Sequence, residues 1–382
     1  MDYTELIRYL QALQPAMLEA LRDLVEHESP TGDKARLDVL ARRLQERFRA
    51  AGAEVALLAN DDAGDHLRVL FPPGSSAGAA RPALLLCHFD TVWPAGTLAK
   101  RPFRVEAGRA RGPGVYDMKA GIVLSEFALR AIGELGLELP RAAVVLLTSD
   151  EEGGSATSRA LIEEQARQAE YVLVLESPLP GGVLKTARKG VGHFTLEVEG
   201  RAAHSGVEPE KGVNAVYELA RQVLYLHSLS DAEQGTTVNV NVFHGGTRSN
   251  VVAAYAEAQV DVRVWTPEEA RRVEVAILQA RPVTSGAVIR VRGGFGRPPL
   301  ECTAAVAALF HRAQEIGRDL GLELQAGATG GGSDGNFTAA LGVPTLDGLG
   351  ALGDGAHAYH EHIVVDSLPL RAALLAALLT RL

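Results

Sequence analysis

The chain has 382 residues, a length that is more typical of two domains than of a single hydrophobic core. Its formal net charge of −9 at pH 7, without any dense run of Lys and Arg, argues against binding to nucleic acid. Two cysteines exclude a disulfide framework, no apolar run approaches the roughly 20 residues that span a membrane, and the N-terminus is unlike a signal peptide, so we expect a cytoplasmic protein without a membrane partner.

The first half of the chain alternates predicted helices with short apolar strands. Apolar residues recur every three or four positions over the first 50 residues, with an interruption at 29–33, which predicts two helices joined by a turn. Strands are predicted at 83–87, 142–148 and 171–176, and helices at 118–135 and 155–169. Because these strands lack polar alternation, we expect an α/β domain whose sheet is buried on both faces.

From about residue 185 the predicted strands alternate apolar and polar residues. They lie at 193–200, 237–243, 255–265 and 288–292, with helices at 212–229 and 267–280. Alternation is typical of a sheet with one face in water, so residues 185–297 are predicted to form an inserted α+β domain. Residues 1–184 and 298–382 then form the first domain.

Polar clusters follow the three apolar strands: "CHFD", "SDEEGG" and "LESP". Ligands of open α/β sheets bind beyond the carboxyl ends of the strands, so these clusters are predicted to converge. With the aspartate of "GVYDMKAG", the converging residues are His88, Asp90, Asp117, Asp150, Glu151, Glu152 and Glu176. So many carboxylates repel one another unless cations lie among them. Imidazole and carboxylate donors without thiolate favour Zn²⁺, with Co²⁺ or Mn²⁺ as alternatives.

The two adjacent glutamates are predicted to have different tasks. A hydrolase that activates water at a metal needs an unligated carboxylate beside it as the general base. We assign the base to Glu151 and the ligand to Glu152, an order that spacing alone does not determine.

Each of these residues, taken alone, also has a structural explanation. A histidine at a strand end, such as His88, is commonly just hydrogen-bonded, and Asp90 and Asp117 suit turns or helix caps. Glu151 and Glu152 precede a predicted helix, where acids favour the positive end of the dipole. Their expected convergence at one sheet edge is what favours a metal site.

Six motifs together resemble one known family. In chain order they are "HFDTV", "GPGVYDMKAG", "TSDEEGGS", "EGRAAHSG", "GGGSDGN" and "GDGAHAYHEHIVVDSL". The set is similar to the dinuclear zinc metallopeptidases that include glutamate carboxypeptidases, succinyl-diaminopimelate desuccinylases, acetylornithine deacetylases and aminoacylases. The resemblance implies a mixed-sheet α/β catalytic domain with an inserted dimerisation, or lid, domain.

The resemblance also implies a ligand set for two Zn²⁺ ions in each subunit. Asp117 bridges the two ions, His88 and Glu176 each bind one, Glu152 binds on the other side, and the last ligand is a histidine near the C-terminus. In that family, Asp90 orients His88 and Glu151 is the general base that deprotonates a water held at the metals.

The C-terminal histidine has three candidates. The family places it four residues before a glutamate that opens a strand, which selects His357 ahead of Glu361. His360 and His362 are the alternatives.

The inserted domain supplies the substrate-binding residues that the resemblance implies. His204 matches a histidine that reaches across a homodimer and stabilises the oxyanion, and Arg263 matches an arginine that binds the substrate carboxylate. Asn250 and the backbone of the glycine-rich loop at 329–336, including Gly332, are expected to help at the same end. A substrate with a free carboxylate is therefore predicted.

Glu176 refines the predicted activity. A glutamate at this ligand position resembles the carboxypeptidase and deacylase branch, closest to the glutamate carboxypeptidases, so we expect an amide hydrolase that releases a C-terminal amino acid. The alternatives are a dipeptidase or aminopeptidase of the same family and a catalytically silent metal- or peptide-binding protein. A nucleotide-binding protein is disfavoured because the chain lacks a phosphate-binding glycine motif.

Overall fold

The computed structural model describes residues 3–75 and 80–382, so the first two residues of the predicted N-terminal helical segment lie outside the described residues. The chain divides into two units. Unit 1 comprises Met1–Ala187, Cys302–Thr329 and Ser333–Leu382, and unit 2 comprises Arg188–Glu301 and Gly330–Gly332. No helix within the described residues is long and apolar enough to cross a membrane.

The strands, in chain order, are β1 (Glu54–Leu58), β2 (His66–Phe71), β3 (Ala83–His88), β4 (Arg104–Glu106), β5 (Arg109–Arg111), β6 (Ala143–Thr148), β7 (Tyr171–Val174), β8 (Leu184–Arg188), β9 (Gly190–Glu199), β10 (Thr237–Gly245), β11 (Tyr255–Val264), β12 (Val288–Arg297), β13 (Ala326–Thr329), β14 (Thr345–Leu346), β15 (Gly353–Asp354) and β16 (His362–Val364). The α-helices are α1 (Thr4–Ala12), α2 (Gln14–Glu26), α3 (Lys34–Ala50), α4 (Thr97–Lys100), α5 (Ala120–Glu134), α6 (Arg159–Gln168), α7 (Ala215–His227), α8 (Pro267–Leu278), α9 (Ala304–Asp319), α10 (Gly335–Ala340) and α11 (Ser367–Arg381).

The largest sheet of unit 1 has the strand order β1-β2-β6-β3-β7-β14. β3 is parallel to both β6 and β7, whereas β2 is antiparallel to β1 and β6. Leu85 and Cys87 of β3 join an apolar cluster with α5 and α11, and Leu84 and Leu86 join another with α6. The predicted α/β fold, with a mixed sheet buried on both faces, is confirmed. A smaller antiparallel sheet has the order β15-β16-β5-β4.

Unit 2 contains an antiparallel sheet in the order β10-β11-β9-β12. The inward side chains of β11 alternate with more exposed ones, and Val260 and Val262 pack with Leu226 of α7 and Ile277 of α8. α8 begins where Thr266 accepts a hydrogen bond from the backbone N–H of Glu269. Unit 2 is therefore an α+β arrangement.

Some elements differ from the predicted ones for local reasons. The first 50 residues form three helices rather than two, because α1 ends at Ala12 and Pro15, which lacks an N–H, lies in the first turn of α2. β1 and β2 are not among the predicted strands. β1 is partly exposed and β2 carries His66 and Arg68, so neither contains a long apolar run.

Candidate metal centre

Three parallel strands of unit 1 end at one edge of the sheet and carry the polar clusters there. His88 is the last residue of β3, Glu151 and Glu152 begin the turn that follows β6, and Glu176 lies two residues beyond β7. Because β3 lies between β6 and β7 in the sheet, the carboxyl ends of the three strands are neighbours. Sheet topology therefore places these side chains together.

Asp117 lies between two imidazoles. Its Oδ1 is 3.2 Å from Nε2 of His88, and its Oδ2 is 3.2 Å from Nε2 of His357. Each imidazole has a second carboxylate beside it: Glu176 Oε1 is 3.4 Å from His88 Nε2, and Glu152 Oε1 is 3.0 Å from His357 Nε2. This geometry suits two cations that share Asp117, each with its own histidine and glutamate.

Glu151 belongs to the same cluster. Potential ligand atoms of His88, Glu151 and Glu176 lie within 4.8 Å of one another, as do those of His88, Asp117 and Glu152. Distance alone therefore does not separate the two adjacent glutamates into a base and a ligand. The contact between Glu152 and His357 supports Glu152 as the ligand.

The donors of this cluster have the chemistry of a zinc site. They are imidazole nitrogens and carboxylate oxygens, the borderline-hard set that Zn²⁺, Co²⁺ and Mn²⁺ accept. Cys87 adjoins His88 in sequence, but its side chain is packed in the apolar core and burial raises the pKa of its thiol. The residues present therefore fit two divalent cations without a thiolate ligand.

The charges of the cluster are also those that a cation site requires. Hydrogen bonds to Asp117 and Glu152 raise the pKa of His357 to about 11. Burial lowers the pKa of His88, but its hydrogen bonds to Asp117, Asp90 and Glu176 outweigh burial, and the net pKa is well above the usual value. The carboxylates thus create a negative potential around both imidazoles. Divalent cations would neutralise that potential.

His357 is distinguished from the two alternative histidines by its contacts. His360 lies 3.8 Å from Asp354, and the ring of His362 lies 3.0 Å from the carbonyl oxygen of His360. His357 also has a positive φ of 62°, a strained conformation for a residue with a Cβ. The structure therefore supports His357 as the C-terminal ligand.

Asp90 connects the imidazole of His88 to the turn that carries both glutamates. Its buried carboxylate lies 3.3 Å from Nδ1 of His88 and accepts hydrogen bonds from the backbone N–H groups of Glu151 and Glu152. The hydroxyl of Thr31 donates a further hydrogen bond of 2.8 Å. Asp90 is thus placed to orient His88 and to hold the turn at once.

Asp90→Asn is expected to weaken metal binding and lower kcat/KM by about 10–100-fold, the usual loss when a carboxylate behind a metal-bound histidine is replaced. Asparagine retains one acceptor oxygen but adds an N–H₂ that faces the existing backbone donors. Zinc affinity and kcat/KM would be measured together, with the exposed Asp61→Asn as the matched control. A variant with unchanged affinity and kcat/KM would contradict this role.

Glu361 supports the turn of the candidate site, although the sequence indicated it only as the marker of the histidine motif. It is fully buried, and its carboxylate accepts hydrogen bonds from the backbone N–H groups of Gly114, Tyr116 and Asp117 and from the indole of Trp93. Glu361 therefore holds the turn that presents Asp117. A buried acid before a short strand was the available signal, but its partners are remote in sequence.

Asp150 converges on the sheet edge but is occupied elsewhere. Its Oδ2 accepts hydrogen bonds from the backbone N–H and hydroxyl of Thr157 and from the N–H of Ser158. These bonds hold the segment before α6, which begins at Arg159 rather than at the predicted residue 155. Asp150 thus has a structural role.

The remaining predicted site residues lie in unit 2. His204 and Asn250 are neighbours: the N–H of Ser205 donates to the carbonyl of Asn250, and Nδ1 of the exposed His204 accepts from the N–H of Gly206.

Arg263 and Gly332 are each fixed by other groups of unit 2. The guanidinium of Arg263 donates to the carboxylate of Asp261 at 2.9 and 3.0 Å and to the carbonyl of Gly330 at 3.3 Å. The carbonyl of Gly332 accepts a hydrogen bond from Arg188, and a Cβ at Gly332 would lie 2.8 Å from Cδ of Arg297. Glycine at this position therefore permits close packing.

Comparison with known proteins identifies relatives along nearly the whole chain. The model of peptidase family M20/M25/M40 matches residues 84–381. The chain is 32% identical over 380 residues to carboxypeptidase G2 from Pseudomonas sp. (strain RS-16), with 96% of this chain and 89% of that protein covered. It is 29% identical over 333 residues to a succinyl-diaminopimelate desuccinylase from Dechloromonas aromatica (strain RCB), with 80% and 85% covered. The crystal structure of an aminopeptidase PepT from Bacillus cereus has a TM-score of 0.79 at 24% identity, with 96% and 98% covered, which shows a shared fold.

Proposed function

Because the chain belongs to peptidase family M20/M25/M40, we propose that this hydrolase cleaves an amide bond to release a C-terminal amino acid, as a carboxypeptidase or N-acyl-amino-acid deacylase. The observation that carries the proposal is Asp117 between His88 and His357, with Glu151 in the same cluster. The two curated relatives, a carboxypeptidase and a desuccinylase, support this reaction class.

The proposed roles divide between holding cations and moving a proton. His88, Asp117, Glu152, Glu176 and His357 are the proposed ligands of two Zn²⁺ ions. Bound zinc lowers the pKa of water and polarises a carbonyl oxygen. Glu151 removes the proton from the attacking water and returns it to the leaving nitrogen. Asp90, 3.3 Å from Nδ1 of His88, keeps the proton of the neutral imidazole on Nδ1, so that Nε2 would be the nitrogen that holds a cation.

Arg263 is proposed to bind the carboxylate of the released amino acid. Asp261 holds the guanidinium through Nε and Nη2, which orients the fork, while Nη1 donates to the carbonyl of Gly330. A planar guanidinium suits a carboxylate better than an ammonium group does.

Arg263→Met is expected to lower kcat/KM by about 10–100-fold, mainly through KM, which corresponds to losing one hydrogen bond to a charged group. Steady-state kinetics on one N-acyl amino acid would measure it. Arg290→Met is the matched control, since Arg290 is an exposed arginine of the same unit that pairs with Glu199. An unchanged KM for Arg263→Met would show that another group binds the carboxylate.

Unit 2 is proposed to act as the dimerisation domain, with His204 serving the active site of the partner subunit. Co-expression of Glu151→Gln and His204→Ala chains tests both parts. Each mixed dimer then keeps one complete active site of its two. Because about half of randomly formed dimers are mixed, we expect about a quarter of wild-type activity, although each parent protein alone is inactive. Activity no higher than that of the separate parents would contradict a shared site.

Release of free amino acid from a panel of substrates tests the reaction class. The panel contains N-acyl amino acids, γ- and α-linked acyl glutamates, and dipeptides with free amines, each assayed with added Zn²⁺. Turnover of blocked substrates that is absent in Glu151→Gln is the expected result. Turnover of free-amine dipeptides alone would instead make the protein a dipeptidase or aminopeptidase, and silence across the metal-loaded panel would favour a binding protein. A cytoplasmic location remains a prediction that cell fractionation tests.

A further inference from the structure

A small cleft in unit 1 is lined mainly by cationic side chains. It has a volume of about 90 Å³, and Lys100, Arg101, Arg104 and Arg111 lie around it with Tyr359. We call these four cations and their tyrosine the basic cleft. A space of this size holds a carboxylate or phosphate group, and the surrounding charge is opposite in sign to the net charge of the chain.

The arrangement of the arginines is unfavourable without a counter-anion. Arg104 of β4 and Arg111 of β5 are direct partners across the antiparallel pair, a position where like charges destabilise a sheet. Glu106 lies 3.6 Å from Arg104. Glu361 acts on Arg101 through its charge, but its carboxylate already accepts four hydrogen bonds from Trp93 and the Asp117 turn. The cluster therefore holds more positive charge than its neighbouring carboxylates compensate.

Arg101 is held in a defined and partly dehydrated position. Its guanidinium lies 4.2 Å from the ring centre of Trp93 and 5.3 Å from that of Tyr359. Its Nη2 donates to the carbonyl of Ala358, whereas Nη1 is buried with no hydrogen-bond partner within the described part of the chain. Stacking fixes the guanidinium plane in advance, which reduces the entropy lost when an anion binds.

The basic cleft adjoins the metal centre through two short connections. Ala358 follows His357 directly, and Tyr359 is two residues from it, a chain length of about 7 Å at most. Trp93, which stacks on Arg101, donates to the same Glu361 carboxylate that accepts from the N–H of Asp117. An anion in the cleft would therefore lie close to a substrate at the metals.

We propose that the basic cleft binds an oxyanion, a carboxylate or a phosphate group, beside the metal centre. Arg104 and Arg111 supply the donors, the stacked Arg101 adds its positive charge, and guanidinium groups match both anions in geometry. The anion is either a second acidic group on the substrate or a free anion. The binding step does not depend on the proposed hydrolytic activity, so its failure and the failure of that activity are distinguishable.

Isothermal titration of the zinc-loaded protein with inorganic phosphate tests the site. We expect the Kd to rise at least about tenfold in Arg111→Met and in Arg104→Met, because each removes one charged donor. Arg104 is more than half exposed, so its variant is expected to fold even if Arg111→Met does not. Arg109→Met, on the same strand but outside the cleft, is the control and is expected to keep the wild-type Kd within about twofold. Equal Kd values in the wild type and the three variants would overturn the proposal, because phosphate would then bind elsewhere, for example at the metals. The absence of any phosphate binding would overturn it as well.

Kinetics with paired substrates then identify the source of the anion. If the substrate supplies the anion, Arg104→Met raises KM for an acyl amino acid that has a distal carboxylate but not for the uncharged analogue of that substrate. Phosphate then competes with the substrate that has the distal carboxylate. If a free anion occupies the cleft, Arg104→Met changes the kinetic constants for both substrates equally, and added phosphate no longer changes the rate of the variant. Both patterns support the site. An effect of phosphate on the rate that is unchanged in Arg104→Met and in Arg111→Met contradicts it.

Discussion

Glu151→Gln is expected to lower kcat by about 10²- to 10⁴-fold while leaving both zinc ions bound. Glutamine has the same size as glutamate and retains an acceptor oxygen, but it cannot take up the proton of the attacking water. Because Glu151 is proposed to touch the water and not a metal, the change should leave metal affinity and folding intact. Zinc content, thermal unfolding and kcat on an N-acyl amino acid would be measured on the same preparation.

Two companion variants make this result specific. Glu164→Gln, on the exposed face of α6, should retain full activity. Glu152→Gln should lose zinc as well as turnover, because Glu152 contacts His357. Loss of zinc in Glu151→Gln with retention of zinc in Glu152→Gln would mean that Glu151 is the ligand and Glu152 the base. A kcat of Glu151→Gln within about tenfold of wild type would exclude Glu151 as the base.

Asp117→Asn is expected to reduce bound zinc below two ions per chain and to lower kcat by about 10³-fold or more, since one metal ion contributes several kcal/mol to the transition state. Each carboxylate oxygen of Asp117 faces a different imidazole, at 3.2 Å in both cases. Asparagine supplies one such oxygen and loses the negative charge that compensates the cations. Metal analysis after dialysis and kcat would report the two effects.

The control for Asp117→Asn is Asp62→Asn, an exposed aspartate of the same unit, which should keep two ions and full activity. Cobalt substitution adds a spectroscopic check, because loss of one cobalt ion lowers the visible absorption of the pair. If Asp117→Asn still binds two ions and retains kcat within about tenfold of wild type, Asp117 does not bridge them.

The central part of the fold could be predicted from the sequence because its signals are local. β3, β6 and β7 are uninterrupted apolar runs, and each is followed directly by its polar cluster. The parallel arrangement of these three strands then brings those clusters to one edge, as the structure shows for His88 and the two glutamates after β6. To predict that these clusters converge, it was enough to identify the three strands and to expect them to be parallel.

The residues that sequence analysis missed are defined by contacts between remote segments. Glu361 holds the Asp117 turn although the two residues are 244 positions apart in the chain. No local sequence pattern indicates that an acidic residue before β16 has such partners. The Asp261 carboxylate on Arg263 and the cross-strand pairing of Arg104 with Arg111 are likewise consequences of strand register. Strand register was not part of the prediction, so these pairings appear only in the folded chain.

The most direct test of the account is a zinc titration of chelator-treated protein followed by both calorimetry and turnover of an N-acyl amino acid. The account predicts that two ions bind per chain, that the metal-free protein is inactive, and that activity returns as the sites fill. Activity that survives complete metal removal, or a protein that binds no zinc at neutral pH, would contradict it.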